Sequence, residues 1–440
     1  MKWSQGLATV LLVAATVYLG FVPQQFDFSQ ILAGGSLAFL AYEFLSFYRQ
    51  PTITSILIVG ILVRVLLVFA FPNLSDDIYR FLWDGQLIGL GMNPFGYLPS
   101  DLIMHGAEGV SSELFEQMNS PEYYTIYPPV AQLIFYASTI FSTDFYTMSL
   151  VIKIIFLVAE IFTFLGIVKI LEALGKDKSL SILYFLNPLI LVEGMVNLHF
   201  EIIMIVFFIW ALYFIFVKKY LAWGALLFTL SIASKLLPLL FLPYFFFRLK
   251  GKQRIQFFLL GTLFVLLAFS PIIFGLDFQN FGSSIDLYFQ KFEFNGGIYY
   301  VLRYFGKLYS GYNLIHYIGP TLGLMACFLI AIKAYLQKEY SLQSFLEFAF
   351  FSFLVYLFST TTVHPWYLSI PILLSVFVKW RFAILWSFLV LLTYINYSYD
   401  PYWENLWIVA LEYLFVFGFL VFEIFRNNNF WRLNVTQKKS

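Results

Sequence analysis

The chain has 440 residues, of which 61% are hydrophobic and 12% are charged, and its mean hydropathy is +0.81. Soluble domains carry about a quarter of their residues as charges, so this composition excludes a soluble globular protein and indicates that lipid surrounds most of the chain. The net charge of +1 argues against a nucleic-acid partner, and the one cysteine, Cys327, excludes an internal disulfide and a cysteine metal site.

Apolar runs dominate the chain, and crossing a bilayer takes about 20 apolar residues. The first run, about residues 6–22, follows Lys2 and is not followed by a small-residue cleavage site, so we interpret it as a retained first helix. The sequence predicts one all-α domain over residues 1–440, a polytopic transmembrane bundle of about 14 helices. The predicted helices are centred near residues 15, 39, 62, 160, 187, 208, 227, 242, 264, 323, 351, 372, 389 and 416.

Lysine and arginine cluster in alternate turns between the predicted helices, which is the pattern of loops that stay in the cytoplasm. This parity requires that residues 127–141 lie on the outer leaflet without crossing it. It also requires that residues 220–247 fold back near Lys235 and Pro238. The sequence thus predicts a multi-pass protein with both termini in the cytoplasm. The cytoplasmic basic residues are Arg49, Lys169, Lys176, Lys178, Lys218, Lys219, Arg248, Lys250, Lys252, Arg254, Lys333, Lys338, Lys379, Arg381, Arg426, Arg432, Lys438 and Lys439.

The first predicted outer region begins with an acidic helix start. Ser75 is a favourable N-cap, and acids in a first helical turn are stabilised by the helix dipole. Ionisable groups at the bilayer boundary are costly and are usually functional. Asp76 lies four residues before Arg80 and is expected to pair with it, which leaves Asp77 free to act as a base. Asp84 shares the helix face of Asp77, and the alternative interpretation is a well-capped structural helix.

Two polar regions, about residues 72–122 and 275–311, are predicted to face outside. Arg303 in the second region is an outer cation against the positive-inside trend, which suggests an anionic ligand or, equally, a lipid-headgroup anchor. Lys235 interrupts an apolar segment near the same face, where snorkelling is the alternative explanation.

A further polar group is predicted where a late helix emerges on the outer face. His364 follows Val363 and precedes Pro365, and the aromatic residues Trp366 and Tyr367 come next. An imidazole can hold a phosphate or a sugar hydroxyl, whereas a lone histidine beside a proline is often a turn residue.

These features together resemble the C-type (GT-C) glycosyltransferases. Within that superfamily the chain is most similar to bacterial polyprenyl-phosphate-mannose-dependent mannosyltransferases, and more distantly to the catalytic subunit of GPI mannosyltransferase I. The similarity runs in order over about residues 75–367. The segments that carry it are the acidic start at Ser75, then Tyr127-Pro128-Pro129, Leu186-Asn187-Pro188, Ser234-Lys235 with Pro238, and His364-Pro365-Trp366-Tyr367.

The resemblance implies a GT-C fold with a helical first outer loop, in a bacterial cytoplasmic membrane. It implies transfer of a hexose, with mannose expected, from a polyprenyl-phosphate donor to a lipid or glycan acceptor at the outer face. An acid of the first outer loop is the base in that superfamily, and this role transfers to Asp77 or Asp76. Eukaryotic relatives carry Asp-x-Asp, whereas this chain has adjacent acids followed by Asp84, so both assignments stay open. No cofactor is assigned, and a divalent metal is an open alternative because only some members use one.

The implied reaction is a direct displacement at the anomeric carbon, which needs no nucleotide domain, and the sequence has no glycine-rich fingerprint of one. Arg303, Lys235 and His364 are candidates to stabilise the leaving phosphate. A transporter or lipid flippase is the rival interpretation, although we find no internal repeat. A polymerase or ligase of surface polysaccharide is a third. The remaining candidates for substrate contact are Arg80, Asp84, Trp366 and Tyr367.

Overall fold

The structure is a computed structural model that describes residues 3–48, 50–275 and 277–437, with the side chains of 288, 289 and 427–437 left out. Within these residues there is no β-strand, and one isolated bridge joins Phe294 to Thr362. Helices prevail because a backbone in lipid must satisfy its hydrogen bonds inside each segment. The predicted all-α fold class is confirmed. Arg49, Lys438 and Lys439 of the predicted cytoplasmic clusters lie outside the described residues, as does the side chain of Arg432.

The N-terminal helices comprise apolar segments and the short helices of the first polar region. Their bounds are α1 Trp3–Phe21, α2 Phe28–Glu43, α3 Ile53–Val68, α4 Asp77–Gly89, α5 Pro99–Met104, α6 Ser112–Gln117, α7 Pro129–Thr139 and α8 Phe145–Ala173. Helix α1 packs on α2, α3 on α8, and α4 on α7.

The central and C-terminal helices are more often interrupted. Their bounds are α9 Ile182–Phe185, α10 Pro188–Leu191, α11 Glu201–Leu212, α12 Leu221–Ser234, α13 Leu242–Arg248, α14 Gly251–Ala268, α15 Ser270–Gly275, α16 Phe278–Gln290, α17 Gly297–Ser310, α18 Ile315–Leu336, α19 Leu342–Ser359, α20 Ser369–Ser375, α21 Phe382–Leu389 and α22 Leu406–Gln437. Short 3-10 or π turns extend several of them.

Seven of the described helices are long and apolar enough to cross a membrane, or eight if the bent pair Lys178–Phe185 and Pro188–Val196 forms one span. The protein is therefore a polytopic helical membrane protein. Each predicted centre lies in or beside a helix, but the number of 14 spans is not confirmed, because several helices are too short. The shorter apolar helices are Ile53–Val68, Leu221–Ser234, Leu237–Arg248, Pro365–Ser375 and Phe382–Ser398.

The predicted break in residues 220–247 is present. Helix α12 ends at Ser234, Lys235 is extended with φ −159°, and the 3-10 turn Leu237–Phe241 leads into α13. Pro238 lies in this turn and has no backbone N–H to continue the helix. The ammonium group of Lys235 is thereby placed at a helix junction.

Buried ionic groups tie α3 to α8, just before the chain reaches α4. The Arg64 Nε donates to Glu160 Oε2 at 3.1 Å, and the Tyr184 hydroxyl donates to Glu160 Oε1 at 2.7 Å. The Lys153 ammonium donates to the carbonyl oxygen of Leu67 at 3.1 Å. A charge in an apolar interior is tolerated when such partners are fixed around it. These contacts therefore hold the end of α3 in place.

Helix α4 lies close against α7 at Gly85. A Cβ atom at this position would lie 2.7 Å from the carbonyl carbon of Phe135 and 3.0 Å from the Thr139 methyl. A backbone carbonyl cannot rotate away as a side chain can. The absence of a side chain at Gly85 therefore sets the distance between α4 and α7.

We expect Gly85→Ala to lower the free energy of unfolding by about 1–3 kcal/mol, because α4 must move off α7 to admit the methyl group. Gly89→Ala is the matched control on the same helix, since its Cβ would meet Thr139 and Tyr136 at an ordinary 4.0 Å. The control should change stability by less than about 0.5 kcal/mol. Thermal unfolding of both variants in detergent tests this, and equal melting temperatures would contradict the close contact.

Candidate active site

The carboxylate of Asp77, the first residue of α4, is surrounded by three side chains. Asn119 Nδ2 donates to Oδ1 and the Tyr127 hydroxyl donates to Oδ2, each at 3.1 Å. His199 Nε2 lies 3.7 Å from Oδ2, and the Asp77 side chain keeps 20% exposure. The carboxylate is therefore fixed in orientation yet open on one side, and its place in a first helical turn stabilises the negative charge.

The expected pair between Asp76 and Arg80 is wrong. Arg80 Nε donates to Asp84 at 2.8 Å, and its Nη1 donates to the carbonyl oxygens of Ser120 at 3.1 Å and Tyr123 at 2.8 Å. The Arg80 side chain is buried and points into the protein, where these acceptors compensate its charge, whereas Asp76 is exposed. A buried guanidinium requires such matched acceptors, and the spacing from Arg80 to Asp84 is the same as that to Asp76.

Asp84 and Ser75 also differ from expectation. Asp84 is fully buried and accepts from Gln132 Nε2 at 2.9 Å as well as from Arg80, so it joins α4 to α7. The N-cap position is occupied by Asp76, whose side chain makes no cap hydrogen bond. The Ser75 hydroxyl accepts from the Asp77 N–H at 3.4 Å instead.

His199 was not a candidate in the sequence, yet it lies between two carboxylates. Its Nδ1 is 2.9 Å from Glu193 Oε2, while Nε2 faces Asp77. Glu193 is buried and accepts from the Tyr394 hydroxyl at 2.9 Å and from Asn197 Nδ2 at 3.0 Å. Asp77, His199 and Glu193 thus lie in a row, which we call the carboxylate–imidazole row.

The local backbone fixes His199 in this position. Leu198 has φ 64°, a left-handed conformation that costs a residue with a branched side chain on the order of 1–2 kcal/mol. The preceding turn Val192–Val196 is a π-helix, a feature frequent at functional sites. The His199 N–H donates to the Glu193 carbonyl at 3.0 Å, which closes the turn.

Four aromatic rings stack behind the row. The His199 and Trp366 centroids are 3.6 Å apart with a 17° tilt, Trp366 and His364 are 4.3 Å apart with 6°, and His364 and Phe294 are 4.7 Å apart with 27°. Tyr367 lies edge-on to His364 and is buried. Both faces of Trp366 are therefore covered by imidazoles, so the indole spaces the two histidines.

His364 is a neutral group in this stack. Burial lowers its pKa to about 3, so the imidazole carries no charge near neutral pH. Burial thus disfavours the positive charge that we expected His364 to place on a leaving phosphate. Its Nδ1 is buried and has no hydrogen-bond partner among the described residues, so the ring can still donate or accept one hydrogen bond.

Lys235 is the cation that the helix break brings to this region. Its Nζ is 3.1 Å from Glu201 Oε1 and 5.7 Å from the centroid of the Tyr127 ring. The Lys235 side chain is 18% exposed, whereas that of Glu201 is 1% exposed. Tyr127 therefore contacts both groups: its ring lies near the Lys235 ammonium, and its hydroxyl donates to Asp77.

Arg303 belongs to a different cluster. Its guanidinium pairs with Glu293 and lies 4.4 Å over the Tyr300 ring, while the Tyr300 hydroxyl donates to Glu404. Glu404 also accepts from the Asn295 N–H at 2.6 Å. These contacts tie the second polar region to the segment before α22, and they do not bring Arg303 to Asp77.

Two cavities lie near Asp77, although Asp77 lines neither of them; its hydrogen-bond partners Asn119 and Tyr127 line the first. The polar cavity, of about 190 Å³, includes Arg80, Asn119, Tyr127 and His364 in its lining. The apolar cavity, of about 300 Å³, is lined chiefly by leucine, isoleucine and aromatic side chains, with Lys235 among them. Ile126 lines both. Among the described residues no cluster of three acidic, histidine or cysteine side chains is arranged to hold a metal ion.

Residues 7–250 match the family model described as alpha-(1->6)-mannopyranosyltransferase, N-terminal domain (MptA_B family). This segment exceeds half of the 440 residues. The chain belongs to this mannosyltransferase family. A search of curated proteins finds no match. The assignment confirms the predicted membrane glycosyltransferase of the mannosyl-transferring class and decides against the transporter and flippase interpretation.

The family segment of this mannosyltransferase contains Asp77, His199 and Lys235, whereas His364 and Trp366 lie beyond it. The structure brings all five into one region, with Arg80 and Tyr367 at its edges and Arg303 outside it. The sequence feature that could have indicated His199 is the set of polar residues Asn197, His199 and Glu201 at every second position of an apolar stretch.

Proposed function

We propose that this mannosyltransferase transfers mannose from a polyprenyl-phosphate donor to a lipid or glycan acceptor on the outer face of the membrane, with Asp77 as the base. The observation that carries the proposal is a partly exposed carboxylate held by Asn119 and Tyr127, two residues that line a polar cavity, which shares Ile126 with an apolar one. Sugar and isoprenoid differ in polarity in the same way as these two cavities.

The apolar cavity is the proposed place for the first isoprene units of the donor. Its lining is mostly hydrocarbon, which favours an isoprenoid over water. Lys235 on its wall is the proposed partner of the phosphate, because an ammonium binds phosphate as a point charge. The mannose would then extend past Ile126 into the polar cavity, toward Asp77.

The reaction we propose is a single displacement. An acceptor hydroxyl oxygen forms a bond to the anomeric carbon while the bond from that carbon to the phosphate oxygen breaks. Asp77 takes the hydroxyl proton, and the polyprenyl phosphate leaves with the electron pair of the broken bond. Lys235 compensates the charge that develops on the phosphate. One displacement inverts the configuration at the anomeric carbon.

The other candidates take supporting roles in this proposal. Arg80 forms part of the wall of the polar cavity, and the fully buried Asp84 holds it there. Neutral His364 offers one hydrogen bond to a sugar hydroxyl, and Tyr367 lines the apolar cavity. Trp366 holds the imidazoles at a fixed spacing.

Asp77→Asn should lower turnover by about 10²- to 10⁴-fold, because the amide keeps the shape of the carboxylate but accepts no proton. Donor binding should change much less. Asp76→Asn should cost less, since Asp76 is exposed and bonds none of the groups around Asp77. Transfer from radiolabelled polyprenyl-phosphate mannose to candidate lipid acceptors is the measurement.

Asp84→Asn serves as a contrast in the same assay. It leaves the buried Arg80 without its carboxylate, so it should lower the melting temperature more than Asp77→Asn does. Full activity of Asp77→Asn, together with an inactive and well-folded Asp76→Asn, would move the base to position 76. Full activity of both would contradict the mechanism.

The proposed orientation places both termini in the cytoplasm and the site outside. In a background without Cys327, a cysteine at Glu116 on the first polar region should react with an impermeant thiol reagent added to intact cells. A cysteine at Lys252, predicted to be cytoplasmic, should react only after permeabilisation. Both positions are exposed, so access alone decides the result. Reversed labelling would contradict the outer-face site.

A further inference from the structure

We propose that His199 is a positioning residue for Asp77, and that it receives, through Asp77, the proton released by the acceptor. This inference rests on the proposed role of Asp77 as the base. The observation behind it is the carboxylate–imidazole row, in which both ring nitrogens of a histidine that is 2% exposed have a carboxylate as a close polar neighbour.

The Glu193 end of the row determines where the histidine proton lies. Glu193 accepts hydrogen bonds from Tyr394 and Asn197, so both of its carboxyl oxygens act as acceptors. The nitrogen 2.9 Å from this carboxylate, Nδ1, is therefore the one that carries hydrogen in the neutral ring. Nε2 then presents its lone pair toward Asp77.

The Asp77 end of the row is open in this state. Two acceptors face each other across 3.7 Å, which is longer than a hydrogen bond, and neither ring nitrogen has an aligned hydrogen-bond partner among the described residues. Once Asp77 has taken the acceptor proton, its carboxylic acid O–H can donate to Nε2. The proton then passes to the ring, Asp77 is again a carboxylate, and Glu193 stabilises the imidazolium.

The surroundings of His199 restrict rotation of its imidazole ring. Trp366 covers one face at 3.6 Å, and the left-handed backbone at Leu198 fixes the direction of the side chain. The imidazole is thus prepositioned, which removes the entropy of ordering it during the reaction. The titratable groups around the row are Asp77 and Glu193 at its ends, Tyr394 on Glu193, His364 across Trp366, and Lys235, Tyr127, Tyr397 and Asp76 nearby.

The test is the pH profile of turnover for His199→Gln, Glu193→Gln and the wild type. We expect each variant to lower kcat by about 10- to 100-fold while KM for the donor changes less than about threefold. The acid limb of kcat in His199→Gln should move to lower pH. In the wild type, protonation of the ring removes the lone pair that faces Asp77, whereas the variant has no ring to protonate.

The exposed His105, at the end of α5, supplies the matched control, and His105→Gln should keep the wild-type profile. If His199→Gln fails to fold, the inference is tested with Glu193→Gln alone, because that variant keeps the stacked rings of His199, Trp366 and His364. An inactive Asp77→Asn with wild-type kcat and acid limb in both His199→Gln and Glu193→Gln would overturn this inference alone. A fully active Asp77→Asn would instead overturn the proposed role of Asp77 as the base.

Discussion

Charge buried among apolar helices is the constraint on which the structure depends. Taking a charge out of water is expensive, so an ionic side chain in the bundle requires fixed partners. Arg64 has Glu160, and Arg80 has Asp84, and these pairs join α3 to α8 and brace α4. Asp77 begins α4 and is held on several sides yet partly exposed. Fixed partners thus also orient the carboxylate that we propose as the base.

The C-terminal half contributes to the candidate site through stacked aromatic side chains rather than through ion pairs. Phe294 from the second polar region stacks on His364, and its N–H and C=O pair with the 361–363 backbone, so the two segments fix each other. Trp366, which stacks on His364, also stacks on His199 and so restricts its ring. Residues beyond the family segment therefore control the geometry of residues within it, and a family comparison limited to 7–250 does not contain the whole site.

Local patterns in the sequence predicted the helical class and the break at Lys235, because each depends on neighbouring residues. The partner of Arg80 could not be predicted from the local sequence, since Asp76 and Asp84 are each four residues away. The carbonyl oxygens of Ser120 and Tyr123 draw the guanidinium to the side of Asp84. His199 was missed because Asp77 and Trp366, two of its neighbours in the structure, are distant in the chain. The number of 14 spans is not confirmed, since prolines and π turns interrupt several helices that hydropathy alone joins.

The central claim is that a carboxylate base drives one displacement, with no covalent sugar–enzyme intermediate. The most direct measurement is the anomeric configuration of the product, read by NMR from the one-bond coupling between the anomeric carbon and its hydrogen. With polyprenyl phosphate β-mannose as the only donor, we expect an α-mannoside, which also agrees with the alpha linkage in the description of the family. A β-mannoside from that donor would require two displacements and would contradict the account.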